Sequence, residues 1–322
     1  MPINIENFTK LNVLVVGDLM IDEYVWGDVD RISPEAPVPV VSVNKISYTL
    51  GGAGNVVSNL VSLGANVSVI GTAGIGETAA ILIDKLKEFN VETQGIIQEA
   101  YRPTTRKTRI IASNQQMLRI DNEKTEQINL KTFNKLKQMI VQQIPNVDLV
   151  IISDYAKGII TKKIIKTIVD TSRHHKILTI ADPKGLDFSK YKNISILTPN
   201  KKEAGLATNT EIISQSDLFA AGGKLLDQIN LHSLLITCGK DGMILFEPGN
   251  DPFVIESNAR QVFDVSGAGD TVISVLGLGL ASGSSLKDSA VAANIAAGIV
   301  VGKIGTATLS TKELINSLNL LK

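Results

Sequence analysis

A glycine-rich segment leads directly into an acidic residue near the end of the sequence. In DVSGAGDT, the residues Gly267, Ala268 and Gly269 precede Asp270, and the apolar run TVISVLGLGLA follows. Glycines let a backbone approach a ligand closely, and a helix N-terminus offers unpaired N–H groups to an anion. An acid beside such groups is suited to accept a hydroxyl proton during phosphoryl transfer. The segment is equally typical of an ordinary helix start, where Asp270 would only complement the helix dipole.

A second glycine-rich segment, GGAGN, contains Gly51 and Gly52 and ends on Asn55. Without side-chain obstruction, its backbone and the Asn55 amide are able to contact a polyhydroxy ligand. Asp18 follows the first predicted strand, where its carboxylate would hydrogen-bond sugar hydroxyl groups. Both features also have a simpler interpretation, because glycine pairs and acids are common in turns.

Asn200 and Glu203 stand three residues apart in TPNKKEA, on one face of a predicted helix start. Magnesium keeps several waters and needs few carboxylates, so these two residues suit a Mg²⁺ site. An asparagine three residues before a glutamate is also the pattern of a capping box. The sequence does not separate the two interpretations.

Basic residues lie in or next to several predicted strands. Arg106, Lys107 and Arg109 lie among threonines in TTRKTR, Lys157 follows a strand in SDYAKG, and Lys184 follows another in ADPKG. Each alone is typical of a solvated charge. Several at one edge of a sheet favour a phosphate site, because Arg and Lys are the usual phosphate ligands.

The elements that must position these residues alternate between strand and helix. Apolar runs such as NVLVVGD, VDLVIISD and SLLITCG indicate buried strands. The alternation predicts an α/β fold with a mostly parallel sheet between helix layers, whose ligands bind at the carboxyl ends of the strands. Two segments, at about 19–50 and 100–122, are instead typical of exposed strands, and we expect them to form a small sheet that acts as a lid. We expect one domain over residues 1–322, because no repeat or linker divides the chain.

The composition excludes several classes of protein. The 322 residues contain 32 basic and 32 acidic side chains, which argues against nucleic-acid and membrane-surface partners. The single cysteine, Cys238, fits a reducing cytoplasm. No signal peptide is recognisable, and the apolar runs are too short to span a bilayer. We therefore expect a cytoplasmic protein.

Three motifs, in the same order along the chain, resemble those of the ribokinase-like, or PfkB, carbohydrate kinases. They are GGAGNVVSNLVSLGA, TPNKKEA and DVSGAGDT. The resemblance implies a ribokinase-like three-layer sandwich with a small β-sheet lid, ATP and Mg²⁺ as cofactors, and a homodimer formed through the lids. It also implies particular roles: Asp270 as the base, Gly267, Ala268 and Gly269 as the phosphoryl cradle, Asp18, Gly51, Gly52 and Asn55 as sugar contacts, Asn200 and Glu203 as magnesium residues, Thr237 and Gly239 near the nucleotide phosphates, and Asn294 near the adenine. As a lone asparagine in an apolar helix, Asn294 would equally serve as a capped core amide.

Further segments resemble those members of the family that phosphorylate D-glycero-D-manno-heptose 7-phosphate at C1, in ADP-heptose synthesis for the lipopolysaccharide core. These segments include GDLMIDEYVWGDVDRISPEAPVPVV, QQMLRIDNE, SDYAKG and ADPKG. For such a substrate, Arg106, Lys157 and Lys184 are the expected ligands of the sugar phosphate. None of the three histidines forms the His-x-Gly-His motif of adenylyl transfer, so the resemblance implies a stand-alone kinase.

Other functions remain open at this point. Another kinase of the same fold, of the ribokinase, fructokinase or phosphofructokinase type, is the nearest alternative. A dinucleotide-dependent dehydrogenase is disfavoured because GGAGNVV lacks the third glycine of Gly-x-Gly-x-x-Gly, and the chain has no P-loop motif. A sugar-binding protein without catalytic activity would not need the acid at Asp270.

Overall fold

A nine-stranded sheet lies at the centre of the fold. The computed structural model describes residues 3–113, 115–258, 262–303 and 305–320. Across the sheet, the strands follow the order β13 (Phe253–Ile255), β12 (Met243–Phe246), β11 (Ser233–Thr237), β10 (Ile196–Leu197), β9 (Leu178–Asp182), β8 (Leu149–Ser153), β1 (Asn12–Gly17), β4 (Asn66–Ala73) and β5 (Ile96–Gln98).

Most neighbouring strands of this sheet are parallel, as predicted. The exceptions are the pairs that β12 forms with β11 and with β13, which are antiparallel. The β12 strand is antiparallel to β11 because only residues 238–242 separate the two, and a connection that short joins antiparallel strands.

Two layers of helices cover the faces of the sheet. The first layer contains α1 (Ala53–Ser62), α2 (Glu77–Glu88), α7 (Ala268–Ala281), α8 (Leu286–Val300) and α9 (Thr311–Asn319). The second contains α3 (Leu130–Gln143), α4 (Lys162–His175), α5 (Lys201–Thr208) and α6 (Gln215–Ile229).

The central strand β1 shows how the sequence produces these layers. Val13 and Val15 belong to the core of the first helix layer, whereas Leu14 and Val16 belong to that of the second. Successive side chains of a strand point to opposite faces, so a continuous apolar run is buried on both sides. This arrangement confirms the predicted fold class. None of the helices in the described part of the chain is long and apolar enough to span a bilayer.

A smaller, four-stranded sheet stands beside the main one. Its order is β3 (Pro39–Gly52), β2 (Leu19–Ile32), β6 (Thr105–Ala112) and β7 (Gln115–Asn122). The β2 strand pairs antiparallel with β3 and parallel with β6, and β6 pairs antiparallel with β7. Only Asp18 separates β1 from β2, and β3 runs directly into α1. The small sheet is therefore joined to the main sheet at the carboxyl end of β1.

Candidate active site

Asp270 lies buried in the first turn of α7. The helix begins at Ala268, after Gly267 in the left-handed conformation with φ +79°, and the Asp270 side chain is only 3% exposed. First-turn N–H groups of a helix have no intrahelical partner and carry a partial positive charge. The predicted cradle, formed by Gly267, Ala268 and Gly269, and the predicted base thus both lie at the N-terminus of α7.

A chain of hydrogen bonds from α1 holds one oxygen of this carboxylate. Asn55 Nδ2 donates to Asp270 Oδ2 at 2.7 Å. The Asn59 amide faces Asn55 Oδ1 at 3.4 Å, and Thr271 Oγ1 donates to Asn59 Oδ1 at 2.9 Å. Because each amide oxygen already has a donor, the Asn55 amide presents its N–H₂ group to Asp270.

Gly267 is required by the position of Asn55. A Cβ atom at residue 267 would lie 2.5 Å from Asn55 Nδ2, and the positive φ is itself unfavourable for other residues. The glycine of one predicted motif therefore makes room for the asparagine of the other.

Tyr155 holds the second oxygen of Asp270, a contact that sequence reasoning missed. Its phenol donates to Asp270 Oδ1 at 2.9 Å. Tyr155 belongs to the loop after β8, in SDYAKG, where the sequence indicated a role only for the lysine. With Asn55 on Oδ2 and Tyr155 on Oδ1, the carboxylate has a donor on each oxygen.

Burial raises the pKa of Asp270 to about 6. The hydrogen bonds from Asn55 and Tyr155 lower it, and the negative charge of Asp22 adds to the rise. A carboxylate whose pKa lies near neutrality is a more effective base than an exposed aspartate. This environment favours the interpretation of Asp270 as a base over that of a helix-start residue.

The side chain of Asp18 contacts backbone N–H groups and does not face an open cleft. Its side chain is 1% exposed, and its carboxylate accepts the N–H groups of Tyr155 at 2.8 Å, Lys157 at 3.1 Å and Ile159 at 3.4 Å. Burial, followed by the charge of Asp154, raises the pKa of Asp18 to about 6, although the three N–H groups lower it. Asp18 thus anchors the loop after β8, and its role as a sugar contact stays a prediction.

The side chain of Asp22, four residues further along, lies against the predicted sugar motif. A Cβ atom at Gly51 would come within 2.6 Å of Asp22 Oδ2, so this glycine allows the carboxylate to lie against the β3 backbone. Gly52 follows it with φ +56° and precedes α1. Asp22 also pairs with Arg109 through a 2.5 Å contact between Oδ1 and Nη1. Sequence reasoning passed over Asp22 because it lies inside a strand.

A cleft of about 500 Å³ opens beside the first turn of α7. It brings together most of the residues predicted to bind the nucleotide, and Tyr155 also lines it. The predicted residues that line it are Ala268, Gly269, Asn200, Glu203, Thr237, Gly239, Asn294 and Lys184.

The start of α5 forms one wall of this cleft. Asn200 Oδ1 accepts the Glu203 N–H at 2.9 Å, and Glu203 Oε2 accepts the Asn200 N–H at 3.0 Å, which makes a capping box. Glu203 Oε1 pairs with Lys184 Nζ at 2.6 Å. The capping interpretation holds, and the same carboxylate still faces the cleft.

Asp182, at the end of β9, adds a second carboxyl group to this wall. Burial raises its pKa well above the usual value, and the charges of Glu203, Asp270 and Asp154 raise it further, while Lys184 opposes them. Such mutual repulsion suits a divalent cation, which would need only one or two carboxylates and the phosphates of a nucleotide. No group of three or more His, Cys, Asp or Glu side chains able to hold a metal occurs within the described residues.

Asn294, on α8, lines the far end of the cleft. Its Nδ2 donates to the backbone oxygen of Glu256 at 2.7 Å, and the side chain is largely buried. The Asn294 amide is therefore capped, as the simpler interpretation of this residue predicted. The residue also lines the cleft.

Comparisons with known proteins show the family of this chain. The sequence pattern of the pfkB family carbohydrate kinases matches residues 10–313. The chain belongs to this family.

Relatives within the pfkB family are similar along nearly the whole chain. It is 54% identical to "Bifunctional protein HldE" of Desulfatibacillum aliphaticivorans over 307 residues, and 43% identical to that of Geobacter sulfurreducens over 308 residues. The matches cover 95% and 96% of this chain, but only 63% of each relative.

Solved structures of the same fold include two sugar kinases. An Arabidopsis thaliana ribokinase complexed with ribose and ATP matches with a TM-score of 0.76 and 19% identity, over 96% of this chain and 98% of that one. Phosphofructokinase-2 from Escherichia coli, in complex with potassium, matches with a TM-score of 0.81 and 18% identity, over 97% of this chain and 100% of that one. At these identities, the likeness concerns the fold.

The three basic residues expected to bind phosphate in this pfkB family member do not share one set of partners. Lys157 Nζ lies 2.7 Å from Glu123 Oε1, and Arg106 Nε lies 3.6 Å from Glu23 Oε2. Lys184 instead lines the nucleotide side with Glu203. Arg106 thus belongs to the base of the small sheet, the end where β2 and β6 begin and β7 ends, and Lys157 contacts this base through Glu123. Lys184 belongs to the cleft.

Proposed function

We propose that this chain is an ATP-dependent kinase that phosphorylates D-glycero-D-manno-heptose 7-phosphate at C1, giving the 1,7-bisphosphate. The observation that carries the proposal is the position of Asp270. This buried carboxylate lies at a helix N-terminus, with the sugar motif of α1 on one side and the nucleotide cleft beside the same helix turn. We also propose that residues 1–322 act as one kinase domain in the cytoplasm.

In the proposed reaction, Asp270 accepts the proton of the C1 hydroxyl group. The sugar oxygen then forms a bond to the γ-phosphorus of ATP, while the bond from that phosphorus to the bridging oxygen breaks and ADP leaves with the electron pair. The first-turn N–H groups of α7 bind the charge that develops on the transferred group. Asn55 and Tyr155 keep the carboxylate oriented during the transfer.

The cleft supplies the nucleotide site. Thr237 and Gly239 lie where β11 ends and would face the phosphates, and Asn294 would lie near the base of the nucleotide. Glu203 and Asp182, with Asn200 beside them, are the residues that would hold magnesium. The bound ion would neutralise charge on the phosphates of ATP. Lys184, paired with Glu203, adds a positive charge to this nucleotide side rather than to the sugar phosphate.

The base of the small sheet would hold the phosphate that the sugar already carries. Lys157 and Lys107 share Glu123, with Nζ to carboxylate distances of 2.7 and 3.2 Å. Arg106 Nε is buried and makes no hydrogen bond among the described residues; its ion-pair partner, Glu23 Oε2, lies 3.6 Å away, beyond hydrogen-bond distance. Such a donor needs a partner, because an unsatisfied buried polar group is costly. A substrate phosphate between Arg106 and Lys157 would supply one.

The outer parts of the small sheet would form a homodimer. They expose several large apolar side chains, a feature that often marks an interaction surface. The exposed residues are Ile32, Val38, Val43, Ile46, Met117, Leu118 and Ile120. We place the partner lid against this surface.

A substrate panel tests the proposal directly. The purified chain is incubated with ATP and Mg²⁺ and with heptose, heptose 7-phosphate, ribose or fructose 6-phosphate, and the products are analysed by mass spectrometry and ³¹P NMR. Heptose 7-phosphate should be the preferred acceptor, with the new phosphate on C1. Preference for an unphosphorylated sugar, or phosphate on another carbon, would refute the heptose assignment. No transfer to any sugar would refute kinase activity itself.

A further inference from the structure

We infer that Tyr155 is a positioning residue, whose phenol orients the Asp270 carboxylate and holds it in its ionised form. This inference rests on the proposed function, because it assigns Asp270 the role of base. It starts from the contact between Tyr155 Oη and Asp270 Oδ1 at 2.9 Å. The tyrosine contacts the base and is thus expected to act through it.

The backbone of Tyr155 is fixed independently of its side chain. The Tyr155 N–H donates to Asp18 Oδ2 at 2.8 Å, and the same oxygen accepts the Lys157 N–H at 3.1 Å. Asp18 lies between β1 and β2, and Ser153 of β8 is paired with Gly17 of β1. Two adjacent strands of the main sheet therefore determine where the phenol stands.

The groups around the two side chains define what the phenol does. Asp270 faces Asn55 from α1 and Tyr155 from the loop after β8, and the charge of Asp22 from β2 acts on it. Burial raises the pKa of Tyr155 well above its usual value, and the negative charges of Asp270, Asp182 and Asp22 raise it further. The phenol thus stays protonated and remains a donor.

A donor of this kind favours the charged form of its acceptor. Among the described residues, Asn55 and Tyr155 are the two side chains that donate hydrogen bonds to this carboxylate. Loss of the phenol removes one of them and leaves Asn55 unchanged. The pKa of Asp270 should then rise, and the carboxylate should lose one of the two hydrogen bonds that fix its orientation.

The first variant is Tyr155→Phe, which keeps the aromatic ring and removes only the hydroxyl group. We expect the Asp270 pKa to rise by about one unit, the size of effect that one hydrogen bond to a charged group produces. The measurement is a ¹³C NMR titration of aspartate carboxyl groups, with the Asp270 resonance assigned by its loss in Asp270→Asn. Because this titration uses the free protein, it does not depend on the identity of the sugar.

Kinetics supply a second readout. The acidic limb of the kcat/KM profile should move upward in pH by the same amount, while turnover on the alkaline plateau falls by less than about tenfold. Tyr101→Phe is the matched control, since the Tyr101 hydroxyl contacts Asn129 and not the base. The control should leave both profiles unchanged.

A third measurement covers the case in which Tyr155→Phe does not fold. Incorporation of 3-fluorotyrosine at position 155 keeps the hydroxyl group and makes it a stronger donor, so the Asp270 pKa should fall. An unchanged Asp270 titration in either substituted protein would overturn the inference. A loss of turnover above about a hundredfold at every pH would also overturn it, because Tyr155 would then act on the reacting atoms. If the native chain transfers phosphate to no sugar, the proposed function fails, while the titration still reports on the contact.

Discussion

Asn55 and Asp270, which are 215 residues apart in sequence, are joined by a hydrogen bond of 2.7 Å. The pair connects the helix that follows the small sheet to the helix that carries the candidate base. It also explains why residue 267 is a glycine, because the Asn55 amide occupies the space that a side chain would need. The two glycine-rich motifs of the sequence are thus parts of one structure.

The first prediction concerns catalysis by Asp270. In Asp270→Asn, the amide oxygen would accept from Asn55 and the amide N–H₂ would donate to the Tyr155 oxygen, so both neighbours stay satisfied. Turnover should fall by ~10²–10⁴ because the proton acceptor is lost. Steady-state kinetics and circular dichroism provide the measurement. Near-normal turnover in a folded variant would mean that Asp270 only starts the helix.

The second prediction concerns stability and pH. The folded-state pKa of Asp270, about 6, lies above its usual value of 3.8, so ionisation of this group costs stability as pH rises through 6. Relative to Asp270→Asn, the native chain should lose about 2 kcal/mol of unfolding free energy between pH 4 and pH 8. Denaturant unfolding of both proteins at several pH values measures this difference. A difference that does not change with pH would contradict the buried charge.

The third prediction concerns the metal. Glu203→Gln keeps an oxygen for the capping box but removes the charge that faces the cleft, so the Mg²⁺ concentration needed for half-maximal rate should increase. The matched control is Asp217→Asn in the capping box of α6, where Asp217 Oδ2 accepts the Ser214 N–H at 2.7 Å. The control should need the same Mg²⁺ concentration for half-maximal rate as the native chain. Superimposable curves for all three proteins would remove Glu203 from the metal site.

The fourth prediction concerns the sugar phosphate. Lys157→Gln should raise the KM for heptose 7-phosphate by about 10- to 100-fold and leave the KM for ATP nearly unchanged, because one charge-assisted hydrogen bond is lost. Glu123→Gln should lower the KM for heptose 7-phosphate, since it removes the carboxylate that pairs with Lys157. Lys166→Gln is the control, as its salt bridge to Asp170 lies on the exposed surface of α4. Equal changes in both KM values would place Lys157 outside the sugar site.

The fifth prediction concerns assembly. Leu118→Lys places a charge on β7, where the native side chain is 54% exposed, and should shift the chain from dimer to monomer. Val141→Lys on α3, at a site that is 43% exposed, is the matched control. Light scattering after size-exclusion chromatography measures the mass. A native chain that is monomeric at all concentrations would refute the lid interface.

The sequence predicted those parts of the site that depend on local pattern. Glycines before an apolar run indicated the helix start after Gly267, and the three-residue spacing of Asn200 and Glu203 indicated a capping box. These features need only the residues next to them, so a single sequence is enough to predict them.

What sequence reasoning missed depends on how distant strands meet. Asp18 was assigned to the sugar because it follows a strand, and the pairing of β1 with β8 also places its carboxylate against the backbone N–H of Tyr155. Lys184 also follows a strand, yet β9 lies next to β10, which brings Lys184 to Glu203. Tyr155 gave no local signal, because its partner lies 115 residues away.

The position of β1 has a consequence for how the chain folds during synthesis. Its neighbours are β4 on one side and β8 on the other, so β1 stays unpaired on one edge until residue 149 and those that follow have left the ribosome. The α1 helix likewise waits for α7, against which it packs. Because long-range pairing is slow, the N-terminal third should remain sensitive to proteases until the last third has been made. The buried carboxylate then becomes enclosed only in the final stage of folding.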